Sequence, residues 1–314
     1  MKKTSLLLAL IAITAGAFCQ DDTTSVSYVA YWSVGDSYDF RVRKTSMQWA
    51  GDSLTKDEIS EYTANFEVVD STETSYTIVW TYSNELINTW DIPEEMLDEL
   101  SKYEMSEVVY TTTELGEFIG IENWEQLAEM MRSMFKDVFR IIAKDSETEY
   151  DKMMQAAQPF LEMYSSREGI EQMVLPELKL FHFPFGAMIP VGDTIRYEDL
   201  FPNLLGGDPI RADAKLWFEE VDFGEERSVL VQESRLNRED TMSFLREILS
   251  RMGAAGEDMT RVLQEAAYTI DTFNTYDFYY YPGVPVMIDF NRHIRIDIGE
   301  EKTRRDDTIT IELL

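Results

Sequence analysis

Val34-Gly35-Asp36-Ser37-Tyr38-Asp39-Phe40-Arg41-Val42-Arg43 decides the fold: a turn-forming Gly-Asp pair leads directly into a strand rich in aromatic and β-branched residues. Similar runs lie on either side of it, Val26 to Trp32, Tyr62 to Val69 and Tyr76 to Tyr82. Gly51-Asp52 and Asp70-Ser71 separate them as further turn-forming pairs. The segment from Ser25 to about Tyr82 therefore reads as an antiparallel meander. Pro93 to Tyr103 reads as a helix with Met96, Leu97 and Leu100 on one face, and Val108 to Thr112 with Phe118 to Ile121 as a hairpin around Gly116.

From Asn123 the period changes. Leu127, Met130, Met131, Met134, Phe135, Val138, Phe139 and Ile142 recur at helical spacing, with Asn123 in the N-cap position and Glu125 in the first turn. A second helix is expected over Glu147 to Tyr164, and the helical insert is expected to end near Pro176. The turn chemistry then returns in the same order. Val191-Gly192-Asp193-Thr194 repeats Val34-Gly35-Asp36-Ser37, Gly207-Asp208 repeats Gly51-Asp52, and the run from Gly283 to Asp289 lines up with Gly116 to Glu122. Ser228 to Val231, Ile294 to Ile298 and Thr308 to Leu313 are expected strands, and Glu239 to Met252 and Asp258 to Tyr268 expected helices.

These elements predict an α+β protein: curved antiparallel sheet in two similar units, with helices packed on one face, half-barrel-like. The expected boundaries are a signal peptide at 1–19, a first β-rich unit at 20–123, a helical insert at 124–178, and a second β-rich unit with C-terminal strands at 179–314. Two independent hairpins with ordinary turn chemistry are the alternative to a duplication. One sheet and two sheets are both compatible with this pattern.

Met1-Lys2-Lys3 followed by the uncharged run Ser5 to Ala17 reads as a secretory signal, too short for the about 20 apolar residues that a membrane span needs. Cleavage after Ala17 and after Cys19 both fit; the triplet Ala17-Phe18-Cys19 favours a cut between Cys19 and Gln20. Phe18 argues against a lipid anchor on Cys19, because that position calls for a small residue. The expected location is the periplasm or the extracellular space, with no transmembrane segment. Removing the only cysteine with the signal leaves neither disulfides nor thiol chemistry.

The chain carries 28 basic and 59 acidic residues, a net charge of −31. Such a surface repels phosphate backbones, which excludes nucleic acid as an expected partner. With two histidines, His182 and His293, Cys/His zinc sites are excluded and bases for a triad are few; both histidines read as strand residues. No His-Glu-x-x-His, Walker or dinucleotide pattern is present, and no cofactor is expected. Acidic pairs such as Asp306-Asp307 and Glu300-Glu301 read as solvated turns rather than calcium ligands.

Three features invite a functional reading. Gly51-Asp52-Ser53-Leu54 spells the nucleophile motif of GDSL-type hydrolases, but its surroundings read as a hairpin, and Asp289 to His293 misses the Asp-x-x-His spacing by one residue. Methionines concentrate in the insert, at Met130, Met131, Met134, Met153, Met154, Met163 and Met173, where they suit core packing or a malleable apolar groove. Tyr276 to Pro282 places aromatic residues on both faces of a strand, so the second face needs a layer, a ligand or a partner.

The Val-Gly-Asp turns leading into aromatic strands, and Glu114-Leu115-Gly116-Glu117-Phe118-Ile119-Gly120-Ile121-Glu122-Asn123-Trp124 running into a helix, resemble uncharacterised exported proteins of Bacteroidota. That resemblance implies a Gram-negative envelope or secreted location and brings no catalytic residues. The architecture is also similar, at fold level alone, to half-barrel periplasmic carriers of lipids and lipoproteins. The expected function is non-enzymatic: an exported protein holding an apolar, lipid-like small molecule between curved sheet and Met-rich helices. Its candidate ligand-binding residues are Met130, Met131, Met134, Phe135, Phe139, Tyr279 and Tyr281. The alternatives are a cavity-free structural or interaction module with an envelope protein as partner and, more remotely, a GDSL-like hydrolase using Ser53.

Overall fold

The computed structural model describes residues 24–82, 101–103, 107–144, 146–171, 176–201, 203, 208–251, 267–298 and 301–314. Cys19, Gln20, Met173, Gly207, most of the helix expected at Pro93 to Tyr103 and most of that at Asp258 to Tyr268 lie outside them. The first part of the described chain contains β1 (Ser25–Ser27), β2 (Ser37–Ala50), β3 (Ser53–Ser71), β4 (Ser75–Tyr82), β5 (Glu107–Thr113) and β6 (Phe118–Ile121). Three longer helices follow, α1 (Trp124–Ala143), α2 (Glu147–Tyr164) and α3 (Pro176–His182), with a three-residue helical turn at Arg167–Gly169 between α2 and α3. The rest comprises β7 (Met188–Pro190), β8 (Ile195–Phe201), β9 (Ile210–Asp222), β10 (Arg227–Leu236), α4 (Arg238–Arg251), β11 (Ala267–Tyr279), β12 (Val284–Ile298) and β13 (Glu301–Leu313).

Eleven strands form one antiparallel sheet in the order β6-β5-β4-β3-β2-β13-β12-β11-β10-β9-β8, curved but not closed. The choice between one sheet and two is thereby settled by β13: from Thr303 to Glu312 it pairs with β2 and β12 at once, joining the early strands to the late ones. Register then fixes which side chains face the core, because residues directly opposite one another share a face. Tyr62, Val42, Ile311, Ile288, Tyr276 and Leu230 form one such row across six strands, and all are buried. This face is termed the inner face. In β3 the alternation is plain: Tyr62, Ala64, Phe66 and Val68 are buried and the residues between them are not.

The first strand of the expected meander behaves differently. Only Ser25 to Ser27 forms a ladder, and its partner is β7 rather than β2. Tyr28 to Trp32 then runs across the inner side, bonded to loops: Tyr28 N–H to Ala187, Ala30 N–H to Leu115 and Tyr31 N–H to Pro282. Its Tyr28, Ala30 and Trp32 side chains enter the core, which is why their aromatic spacing mimicked a sheet strand.

A second departure concerns Pro176 and His182. Pro176 opens a helix instead of ending the insert, and His182 lies at the end of α3 rather than in a strand. The alternating run Phe181-His182-Phe183-Pro184-Phe185 looks extended, yet Leu178, Phe181 and Phe185 are also spaced for one helical face and its continuation. Burial decides between the two: Phe181 packs on Phe40, Phe66 and Trp80, and Phe185 on Trp32 and Phe278, so the segment plugs the inner face. Each such ring contributes on the order of 1.5–3 kcal/mol by leaving water.

Helices α1 and α2 match the periodicity, and α2 has the expected limits. Asn123 occupies the N-cap position of α1 without capping it; its Oδ1 accepts the Val109 N–H instead, tying the helix to β5. Ala267 and Tyr268, expected to end a helix, begin β11. Among the described residues no helix is long and apolar enough to cross a membrane.

Candidate functional site

The inner face divides into a filled part and a polar, half-covered part. Over β2 to β6 and α3 it is filled by Phe40, Phe66, Ile78, Trp80, Tyr110 and Phe181, each at most 1% exposed. His182 is buried among them with both ring nitrogens bonded. A backbone carbonyl only accepts, so Nδ1 donates to Gly116 O at 2.8 Å and Nε2 accepts from the Tyr110 hydroxyl at 2.9 Å. Burial drives the His182 pKa down to about 3, which holds the ring neutral in this role. Glu177, also fully buried, receives Lys44 Nζ at 3.1 Å and the Tyr62 hydroxyl at 2.8 Å.

Beyond Lys44 the same face changes character. Ser46 on β2, Asp307 and Arg305 on β13, and Arg292 on β12 follow from the core positions by alternation, and their contacts agree. Asp307, 7% exposed, accepts from Arg292 Nη2 at 3.0 Å, Arg305 Nε at 2.8 Å and Ser46 Oγ at 2.8 Å. Burial alone raises its carboxyl pKa, but the bonds from Arg305 and Ser46 and the two guanidinium charges reverse that and hold it below the usual range. Two guanidinium groups share one carboxylate, leaving a surplus of one positive charge. Arg292 Nε is buried without a hydrogen-bond partner among the described residues, an omission that costs about 1–3 kcal/mol in a closed protein.

Beside the arginines the inner face is apolar and unfinished. Ile294 and Ile296 continue the Arg292 side of β12, and Ile270 lies opposite Ile294 on β11; Ile296 is 36% exposed. In the rows of Phe290 and Arg292 on the same face, Asn274 Nδ2 donates to Gln232 Oε1 at 2.9 Å, Gln232 Nε2 donates to Tyr197 at 2.7 Å, and Ser234 and Thr272 hydroxyls meet at 2.5 Å. Asn274 Oδ1 is buried and accepts nothing.

The residues expected to bind a ligand fall into separate places. Met131 and Met134 are core residues, 2% and 3% exposed, while Met130 and Phe135 are half-buried against the core. Phe135 lies 6.3 Å from Phe139 and 5.6 Å from Tyr164, in the contact between α1 and α2. Tyr279 lines a cleft with Glu220, Asp222, Glu225 and Arg227, and Tyr281, half-exposed, lies against Tyr31 at the β11–β12 turn. A larger cleft of about 550 Å³ runs between the β8–β9 end and α4, lined by Leu200, Ile210, Arg211, Asp240, Phe244 and Glu247 among others. Its Arg211 and Asp240 close on each other in a bidentate pair at 2.7 and 2.8 Å.

Ser53 is exposed and opens β3 directly after the Gly51-Asp52 turn, opposite Ala50. His293 is a strand residue, as expected, and bonds Asp306 on β13 at 2.9 Å, three strands from Ser53. At about 4.8 Å per strand that gap exceeds any Ser–His hydrogen bond. Among the described residues no group of three or more His, Cys, Asp or Glu side chains is disposed to hold a metal.

Arg292, Arg305 and the three isoleucines were not singled out by sequence reasoning. The available signal was the alternation of Phe290, Arg292, Ile294 and Ile296, an arginine among apolar residues that runs past the expected strand Ile294 to Ile298 and lies in the longer β12.

No family model and no curated protein sequence matches the chain. Among solved structures it is similar to lipovitellin, described for its lipid–protein interactions, with TM-score 0.43 and 8% identity over 90% of this chain. The chain spans 25% of that molecule's length. Ail, the attachment invasion locus protein of Yersinia pestis, gives TM-score 0.15 at 5% identity, covering 90% of this chain and 100% of Ail. The COG4313 outer membrane channel of Pseudomonas putida F1 gives 0.17 at 7%, covering 91% and 98%.

Proposed function

We propose that this chain is an exported, non-enzymatic protein of the periplasm or extracellular space that holds an apolar, lipid-like molecule against the inner face of its sheet. One observation carries this reading: Ile270, Ile294 and Ile296 prolong the core face beyond its filled part and remain incompletely covered. Placing the ligand there differs from placing it beneath α1, because Met131 and Met134 already pack as core. The resemblance to exported Bacteroidota proteins and the signal-like start support the location.

The same reading takes the chain as a duplication, 20–123 and 179–314 around the insert 124–178. Support comes from the sheet order, which runs β6 to β2 on one side of β13 and β12 to β8 on the other. Gly35 and Gly192, from the repeated Val-Gly-Asp turns, have φ of 95° and 91°, and Gly116 and Gly283 have 94° and 88°.

The test is lipid extraction and mass spectrometry of natively purified mature protein, together with uptake of the neutral apolar probe diphenylhexatriene. Bound lipid or probe is expected; the absence of both removes the reading. In that event the filled plug of Phe181 and Phe185 favours the second reading, a structural or interaction module with an envelope partner.

A further inference from the structure

Resting on the apolar-ligand reading, we propose that the bound molecule is a monoanionic amphiphile, a long-chain carboxylate, with its head group on Arg292 and Arg305 and its chain along Ile294, Ile296 and Ile270. Three independent features meet at this place. The first is charge. In a chain of net −31, these two guanidinium groups face one carboxylate, and their side chains are 42% and 47% exposed. Of the neighbouring inner-face cations, Lys44 is matched by Glu177 and Lys56 by Glu58, and Arg304, which alternation puts on the outer face, stacks on Trp49 and pairs with Asp306.

The second feature is the unused donor. Arg292 Nη2 is committed to Asp307, while Nε is buried and lacks an acceptor. A carboxylate at the half-exposed edge of the two guanidinium groups meets donors that Asp307 does not use, a modest turn of Arg292 brings Nε to the same oxygen, and guanidinium groups bind oxyanions by charge-assisted bonds in a fixed, planar geometry. The third is the adjoining isoleucine row, which offers apolar surface where a chain attached to that head group must lie. Ser46 and Asp307 hold the arginines from the other side, so the head group does not have to organise the site.

The surplus charge selects the head group. A carboxylate neutralises a surplus of one, whereas a phosphomonoester dianion leaves a buried negative charge in an already acidic protein. A neutral alcohol or ester satisfies the Nε donor but leaves the charge unmatched.

The experiment uses delipidated, full-length mature protein in isothermal titration with oleate, oleyl alcohol and the phosphomonoester lysophospholipid oleoyl-lysophosphatidic acid, each below its micelle concentration and at a pH that ionises the carboxylate and gives the phosphate its second charge. Oleate is expected to bind about ten-fold or more tighter than oleyl alcohol, the difference expected of one charge-assisted contact. Arg292→Met is expected to remove about that ten-fold for oleate while changing oleyl alcohol by less than about two-fold. Arg292→Lys, which keeps the charge but not the planar donor pair, should fall between. Equal binding of oleate and the alcohol, or an equal loss of both in Arg292→Met, overturns the proposal while leaving the apolar-ligand reading intact. Tighter binding of the lysophospholipid overturns the carboxylate assignment. No binding of any probe, diphenylhexatriene included, overturns both. Should Arg292→Met fail to fold, the wild-type preference for oleate and its weakening between about 0.05 and about 0.5 M salt decide the matter.

Discussion

Gly116 and Gly283, at the β5–β6 and β11–β12 turns, close on the same side chain. A Cβ built on Gly116 falls 2.6 Å from Phe185, and one on Gly283 falls 3.1 Å from Phe185 and 2.6 Å from the Val29 carbonyl. Both residues have positive φ, so an L side chain is strained there before any contact is counted. Alanine at either position is expected to cost about 2–4 kcal/mol, combining about 1–2 kcal/mol for the left-handed backbone with overpacking. Gly35→Ala and Gly192→Ala, where the added methyl meets open space, should cost only the backbone part, about 1–2 kcal/mol. Urea denaturation of the four variants checks this, and equal losses at all four would contradict the clamp on Phe185.

His182 gives a pH dependence of known sign. Its pKa falls from 6.5 to about 3 on folding because burial disfavours the charged ring. The unfolded chain therefore binds a proton that the folded chain refuses between those two values. This contribution is fully present above pH 6.5 and is lost as the pH falls, by about 1.4 kcal/mol per unit. His182→Gln lacks it. The stability gap between wild type and His182→Gln should narrow by about 2 kcal/mol between about pH 7 and about pH 5. Parallel curves for the two proteins would show that the ring is not buried neutral.

The Lys44–Glu177 pair is expected to behave as a coupled unit. Lys44→Met leaves a fully buried carboxylate with the Tyr62 hydroxyl at 2.8 Å and the neighbouring Tyr82 hydroxyl but no counter-charge among the described residues, at an expected cost of about 3 kcal/mol. Adding Glu177→Gln should restore part of that loss, since the amide accepts from Tyr62 without needing a counter-charge. A double-mutant cycle by chemical denaturation measures this; additive losses would mean that the two residues act separately.

The plug and the serine should lie at opposite ends of the sensitivity scale. Phe181→Ala opens the contacts to Phe40, Phe66 and Trp80 and is expected to cost about 3–5 kcal/mol. Ser53→Ala, at an exposed turn, should change stability by less than about 0.5 kcal/mol and leave any ester cleavage by the preparation unaltered. Loss of such cleavage in Ser53→Ala would revive the hydrolase reading.

Strands were legible where alternation had a single cause. Tyr62 to Val68 alternates because one side is core and the other is not, and the strand expected at Tyr62 to Val69 lies within β3, which begins earlier, at Ser53. Alternation misled at Tyr28 to Trp32 and at Phe181 to Phe185, where aromatic side chains enter the core from several sides at once and the backbone need not belong to the sheet. Asn123 shows the same limit at smaller scale: its position at the helix start could be read, but its bond to Val109 depends on β5 lying alongside.

The candidate site was less legible than the fold. Met131 and Met134 stand out in the sequence because methionine is unusual there, and they prove to be ordinary core. Arg292 and Arg305 do not stand out, since arginines are common in solvated strands.

Local physics in the sequence determined the antiparallel strands, their turns at Gly35, Gly51 and Gly116, and the two long helices, because each depends on residues within a few positions of one another. Only the tertiary structure decided that β13 joins the halves into one sheet, that α3 fills part of the inner face, and that Arg292 and Arg305 share Asp307 beside partly covered isoleucines. Those outcomes rest on cross-strand register and on the competition for core volume, and both are set by residues far apart in the chain.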